Sequence, residues 1–175
     1  MAGWIFLALW MSTNSIAVQP TTFKHVRSAE ARIRERVADG YTRSATFKTL
    51  VDAVEKLSCV VYLSSTVKLS GGMRGALLHW PATDPEMPVL RVLLKANLSR
   101  DETIAVIGHE LQHVIEAVRS DRATDRFDVT ATFDKLDPSS QRGSVHKYDT
   151  DEAIRITVMV LDELNRARRD IRPRN

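Results

Sequence analysis

The sequence predicts an α+β fold in a single domain, and three observations predict it. Three short apolar, β-branched stretches read as strands, at Cys59–Leu63, Met73–Trp80 and Val89–Lys95. They are flanked on both sides by segments whose apolar residues recur at helical spacing, which is the order expected of a small sheet packed on helices. The chain has 175 residues, 43% hydrophobic and 27% charged, enough to bury one core. It must do so without an intrachain disulfide, because Cys59 is the only cysteine. Basic side chains number 25 against 22 acidic, a net charge of +3, which falls short of a nucleic-acid-binding signature.

The elements follow in order. Met1–Met11 is apolar and uncharged, and Ser15 and Ala17 stand at the −3 and −1 places of a signal-peptidase site. Residues 1–17 are therefore expected to be a secretory signal and residues 18–175 the mature domain, secreted or periplasmic. The apolar run is about ten residues, whereas a membrane-spanning helix needs roughly twenty. Ser28–Ala38 reads as a charged surface helix stopped by Gly40. Ala45–Leu57 reads as a second helix, with Phe47, Leu50, Val51, Val54 and Leu57 on one side. Gly71-Gly72 marks a turn, and Pro81, Pro85 and Pro88 bracket a loop. The nearly continuous apolar character of Val89–Lys95 suggests a strand covered on both faces.

Ser99 and Glu102 form a capping box that opens the strongest helix, Arg100–Val118. Its Ile104, Ile107, Leu111, Ile115 and Val118 make one apolar stripe. Gly108 inside it implies a close neighbour, such as a strand backbone. Ser120–Lys147 is polar and irregular, with a short helix expected near Val129–Leu136. A last helix starts at Thr150 or Asp151 and ends near Arg169, with a basic tail suited to the helix dipole.

The chemistry concentrates in His109-Glu110-Leu111-Gln112-His113, an HExxH motif. Two histidines four apart share one helical face, so their imidazoles can converge on one tetrahedral Zn²⁺. Glu110 lies about 100° round the helix, where it can serve as general base without ligating. A hydrolytic zinc site needs a third protein ligand. Asp149, Asp151 and Glu152, at the mouth of the last helix, are candidates. Glu116 is a further candidate, one turn beyond His113, but its place on the same helix suits an imidazole-orienting role better. His146 and Tyr148 precede these acids and suit either oxyanion stabilisation or an ordinary loop. Asp149 and Glu152 can equally cap the last helix. His25 and His79 have no evident partner. Val114–Arg119 lacks the glycine and histidine of a metzincin, and Cys59 lacks the flanking glycines of a peptide deformylase.

The segment Val106–Ile115 resembles the zinc-peptidase pattern of the zincins. More narrowly, Arg43–Phe47, Ile107–His113 with Glu116, and Tyr148–Asp151 resemble a group of small, uncharacterised, exported bacterial proteins. The resemblance covers roughly Arg43–Leu164. It implies a zincin-like α+β fold and a metallopeptidase role, with glutamate expected where this chain has Asp149. The expected activity is zinc-dependent hydrolysis of a peptide or protein substrate. In this reading His109, His113 and Asp149 hold Zn²⁺ and Glu110 is the base. The alternative is a non-catalytic zinc- or peptide-binding module that keeps the same helix.

Overall fold

The computed structural model describes residues 22–69, 72–80, 87–121 and 149–171. The expected signal peptide, the short helix expected over Val129–Leu136, His146 and Tyr148 lie outside the described residues. The described chain is α+β, with four helices and one four-stranded mixed sheet. In chain order the elements are β1 (Val26–Arg27), α1 (Ala31–Arg43), α2 (Ala45–Val54), β2 (Val60–Thr66), β3 (Gly75–Trp80), β4 (Val89–Lys95), α3 (Arg100–Asp121) and α4 (Asp151–Ile171).

The sheet order is β1-β2-β4-β3. β1, β2 and β4 run parallel, and β3 returns antiparallel along β4, pairing Gly75 with Leu94 and Trp80 with Val89. Two cross-strand rows line the core: Val26–Val61–Leu90 and Leu63–Val92–Leu77. Three strands were expected from the sequence and four are found. The extra one is two residues long, and its signal lies thirty residues away. Glu55, just past α2, accepts hydrogen bonds from the backbone N–H groups of Lys24, His25 and Val26 at 2.8, 2.8 and 2.9 Å. That carboxylate binds the incoming chain beside β2. The strand at Val89–Lys95 falls where expected, but only one of its faces is closed. Leu90, Val92 and Leu94 are buried, while Val89, Arg91, Leu93 and Lys95 are half-buried. The described helices pack on the first face.

α3 is the centre of the molecule. It touches β3, β4 and the other three helices. The expected stripe of Ile104, Ile107, Leu111, Ile115 and Val118 is buried, and burial extends beyond it round most of the circumference between Thr103 and Val118. Only His109, Gln112 and Glu116 remain half-exposed over that stretch, and they lie on one face at helical spacing. α4 lays Ala153, Ile156, Val160 and Leu164 into the same core.

The α1–α2 corner differs from expectation in an instructive way. Gly40 does not end α1, which runs on to Arg43. A Cβ at Gly40 would stand 2.5 Å from Ile104 Cγ2 and 2.9 Å from Phe47 Cδ1, so the residue's role is close approach rather than termination. Ser44 ends α1 instead, with extended backbone angles, and its Oγ accepts from Phe47 N–H to cap α2. The Gly108 neighbours are side chains of Phe47, Ile156 and Val160 at ordinary contact distance, not a strand backbone.

Two polar clamps lock this corner to the rest. Glu163 of α4 accepts from Ser44 Oγ at 2.5 Å, Thr46 N–H at 3.0 Å and Thr46 Oγ1 at 2.7 Å. Arg43 spans Asp39 and Asp101, and Arg168 of α4 also pairs with Asp101. Burial raises the Glu163 carboxyl, but the Ser44 and Thr46 hydrogen bonds outweigh it and leave its pKa below the usual glutamate value.

Two outcomes test this packing. Gly40→Ala forces a methyl into Ile104 and Phe47 and should cost about 1–3 kcal/mol in urea unfolding, despite alanine's better helix propensity. Glu163→Gln should destabilise by about 1 kcal/mol near neutral pH. A depressed native pKa gives stability that is present above the unfolded value and lost as pH falls through the native one. The difference between Glu163→Gln and wild type should therefore shrink towards zero below the ordinary carboxylate range, read as melting temperature against pH.

Candidate metal centre

The capping box places α3 in register for its motif. Ser99 N–H donates to Glu102 Oε2 at 3.0 Å and Glu102 N–H donates to Ser99 Oγ at 3.4 Å. Three turns on, the imidazoles of His109 and His113 meet edge to face, 4.7 Å between ring centres and 82° between planes. Their Nε2 atoms are 3.0 Å apart. Asp149, just before α4, brings Oδ1 to 3.2 Å from His109 Nε2. One donor atom from each of the three residues falls within 4.8 Å of the others.

The other ring nitrogens decide what these atoms offer. His109 Nδ1 stands 3.1 Å from the Ala153 carbonyl oxygen and 3.0 Å from Thr157 Oγ1. A carbonyl can only accept, and Thr157 gives its own hydrogen to the same carbonyl, so Nδ1 carries the proton. His113 Nδ1 lies 3.2 Å from Glu116 Oε2. Burial raises the Glu116 carboxyl, but hydrogen bonds from His113, Gln112 and Thr150 hold its pKa low, so it accepts as a carboxylate and His113 Nδ1 is the donor. In the neutral imidazoles both Nε2 atoms then present lone pairs, towards each other and, for His109, towards a carboxylate oxygen. A cation between them would join all three atoms. A proton on His109 Nε2 satisfies two contacts, and a divalent cation satisfies all three. Ligands around a tetrahedral Zn²⁺ with bonds of about 2.0–2.1 Å are separated by about 3.3 Å. The observed 3.0 and 3.2 Å need only small adjustments to reach that spacing. The donor set and its outer hydrogen bonds thus fit a zinc ion.

The electrostatics of the site also admits a proton as that cation. Burial pushes the His109 imidazole towards its neutral form, but the Asp149 hydrogen bond and the Glu110 and Asp149 charges outweigh it and favour the cation. Glu110 is buried, and burial raises its carboxyl above the ordinary glutamate value against the pull of His113 and His109. Its position is set by the sheet edge. A Cβ on Gly75 of β3 would stand 2.4 Å from Glu110 Oε1 and 2.8 Å from Val106 Cγ1. Only glycine lets this carboxylate lie against the strand.

The remaining acids fall elsewhere. Asp151 is exposed, and Glu152 pairs with Arg155 at 2.5 Å. Neither Asp149 nor Glu152 caps α4. Thr150 does, its Oγ1 accepting from Ala153 N–H at 3.1 Å, which leaves the Asp149 carboxylate to face the histidines. His25 is buried in β1's approach, away from the site residues, with Nδ1 unpartnered in the described structure. Sequence reasoning missed Thr150, Thr157, the Ala153 carbonyl and Gly75. The Thr-x-x-Ala spacing at a helix start is a readable cap signal, but nothing in the sequence aligns Thr157 or Gly75 with the motif. Comparisons with protein-family models, curated proteins and solved structures find no match to this chain.

Zinc titration of the purified, chelator-treated chain should load one equivalent. At about a hundredfold excess over Kd this should add about 2.7 kcal/mol of stability. For a domain of this size that is about 5–10 °C in melting temperature. His113→Ala should abolish the gain, and a chelator should reverse it in the wild type.

Proposed function

We propose that the chain is a zincin-like, zinc-dependent metallopeptidase that acts outside the cytoplasm. The observation that carries the reading is the convergence of His109 Nε2, His113 Nε2 and Asp149 Oδ1 beside the buried Glu110 carboxylate. In this reading the two histidines and Asp149 hold the ion. Zinc bound there supplies a Lewis acid that polarises a carbonyl and lowers the pKa of water to about 7.

The chain's own residues do the rest. Glu110 takes a proton from the attacking water as oxygen adds to the scissile carbonyl carbon, then passes it to the leaving nitrogen as the C–N bond breaks. The products are a carboxylate and an amine. A carboxyl whose pKa is raised by burial is matched to both halves of that transfer. Thr157 and the Ala153 carbonyl hold the His109 ring, and Glu116 holds the His113 ring, so neither rotates during turnover.

A peptide is favoured as substrate because of the strand beside Glu110. Among the described residues β3 is one of the sheet's two edge strands, the other being β1. Lys95 N–H donates to Arg74 O, so the antiparallel ladder turns the backbone groups of Arg74, Ala76 and Leu78 towards β4. Those of Gly75 and Leu77 face away from it. An extended peptide pairing there adds a strand to the sheet and passes Glu110. The secreted or periplasmic location rests on the apolar Met1–Met11 and the Ser15–Ala17 cleavage pattern. Among the described residues no helix is long and apolar enough to cross a membrane.

Glu110→Gln should keep one equivalent of zinc and lose at least about a hundredfold in kcat/KM on a peptide library. Wild type that holds zinc and cuts no peptide in the library would favour a binding module instead.

A further inference from the structure

Resting on the zinc reading above, we propose that Thr150 is a positioning residue that couples the third ligand to the His113 imidazole through Glu116. One hydroxyl has one hydrogen to give and lone pairs to accept with. Thr150 Oγ1 uses both. It accepts from Ala153 N–H at 3.1 Å, and it donates to Glu116, whose two oxygens lie at 3.0 and 3.2 Å. The first bond starts α4, and the second ties that start to α3. Glu116 in turn receives His113 Nδ1–H at 3.2 Å and Gln112 Nε2–H at 2.8 Å.

The consequence is geometric. Asp149 is the residue before Thr150, so the hydroxyl that caps α4 also limits where the Asp149 carboxylate can stand. The Ala153 residue whose N–H is capped supplies the carbonyl that orients His109. The first turn of α4 therefore reaches each donor separately: Asp149 by adjacency, His109 through Ala153, and His113 through Thr150 and Glu116. The last route passes across helices through a side-chain hydroxyl, and it can be cut without touching a ligand.

The experiment measures zinc affinity by competition with a chromophoric chelator, for wild type, Thr150→Val, Thr150→Ser, Glu116→Ala and the Thr150→Val/Glu116→Ala double variant. Circular dichroism and melting temperature of each chelator-treated protein monitor folding. Thr150→Val keeps the shape and removes the hydroxyl. It should weaken zinc binding about tenfold, as losses of outer hydrogen bonds at metal sites do. Thr150→Ser should stay within about twofold of wild type. Glu116→Ala should also weaken binding, and the double variant should bind about as weakly as Glu116→Ala alone, because both changes cut one route.

Multiplying losses in the double variant would show that Thr150 acts by capping alone and would overturn the coupling. So would zinc binding by Thr150→Val at wild-type strength. Should Thr150→Val fail to fold, Thr150→Gly takes its place, since glycine at an N-cap costs only a few tenths of a kcal/mol and still lacks the donor. Wild type that binds no zinc would instead sink the metal reading itself, a result separate from either of these.

Discussion

Three lone pairs that point at one another are the constraint on which the site depends. His109 Nε2, His113 Nε2 and Asp149 Oδ1 are drawn together although each is an acceptor. A positive charge, whether a proton or a metal ion, would stabilise such a cluster. The protein holds it by spending other interactions. Ala153, Thr157 and Glu116 engage the far nitrogens of the two rings and so aim the near nitrogens at each other. The geometry is set in advance of any cation, which lowers the ordering cost of binding one.

The rest of the fold can be read as support for two helices. α3 carries the histidines, and it is gripped by the sheet on one side and by α1, α2 and α4 on others. α4 carries Ala153 and Thr157, the groups that orient His109, in its first two turns and the clamp residues Glu163 and Arg168 towards its far end. Glu163 accepts from Ser44 and Thr46 at the α1–α2 corner, and Arg168 meets Asp101 of α3, which Arg43 also reaches. Polar clamps at one end and apolar packing of Ala153, Ile156, Val160 and Leu164 along the length fix α4's position along α3. The three-way convergence at its start follows from that fixed position. The Arg43–Phe47 stretch is thus a joint, and Phe47, buried against both Gly40 and Gly108, is its apolar pin.

The sheet contributes one edge. Because β3 runs antiparallel on the outside of the parallel strands, Gly75 is brought over the Glu110 turn of α3. Burial there raises the Glu110 carboxyl, and the nearby imidazoles oppose it. In the proposed mechanism, a carboxyl raised by burial is suited to taking a proton and giving it back.

From the sequence by itself came the α+β class, the capped helix, the stacked histidines and the neighbouring glutamate. These rest on local rules: a 3.6-residue period, a four-residue spacing and a cap three residues long. The β4 boundaries were legible for the same reason, since an apolar strand bounded by a proline loop and a turn is a local pattern. What is decided over distance was not legible. β1 depends on a carboxylate some thirty residues away, Gly40 on a side chain of α3, and Gly75 on Glu110. Asp149, Asp151 and Glu152 were near-equivalent candidates in sequence, because three acids in four residues share one helix start. Tertiary structure separated them. Thr150 took the cap, Arg155 took Glu152, Asp151 turned to solvent, and only Asp149 was left facing the imidazoles. The physical reason is that a helix start offers one cap position and one inward direction, and packing against α3 decides which residue occupies each.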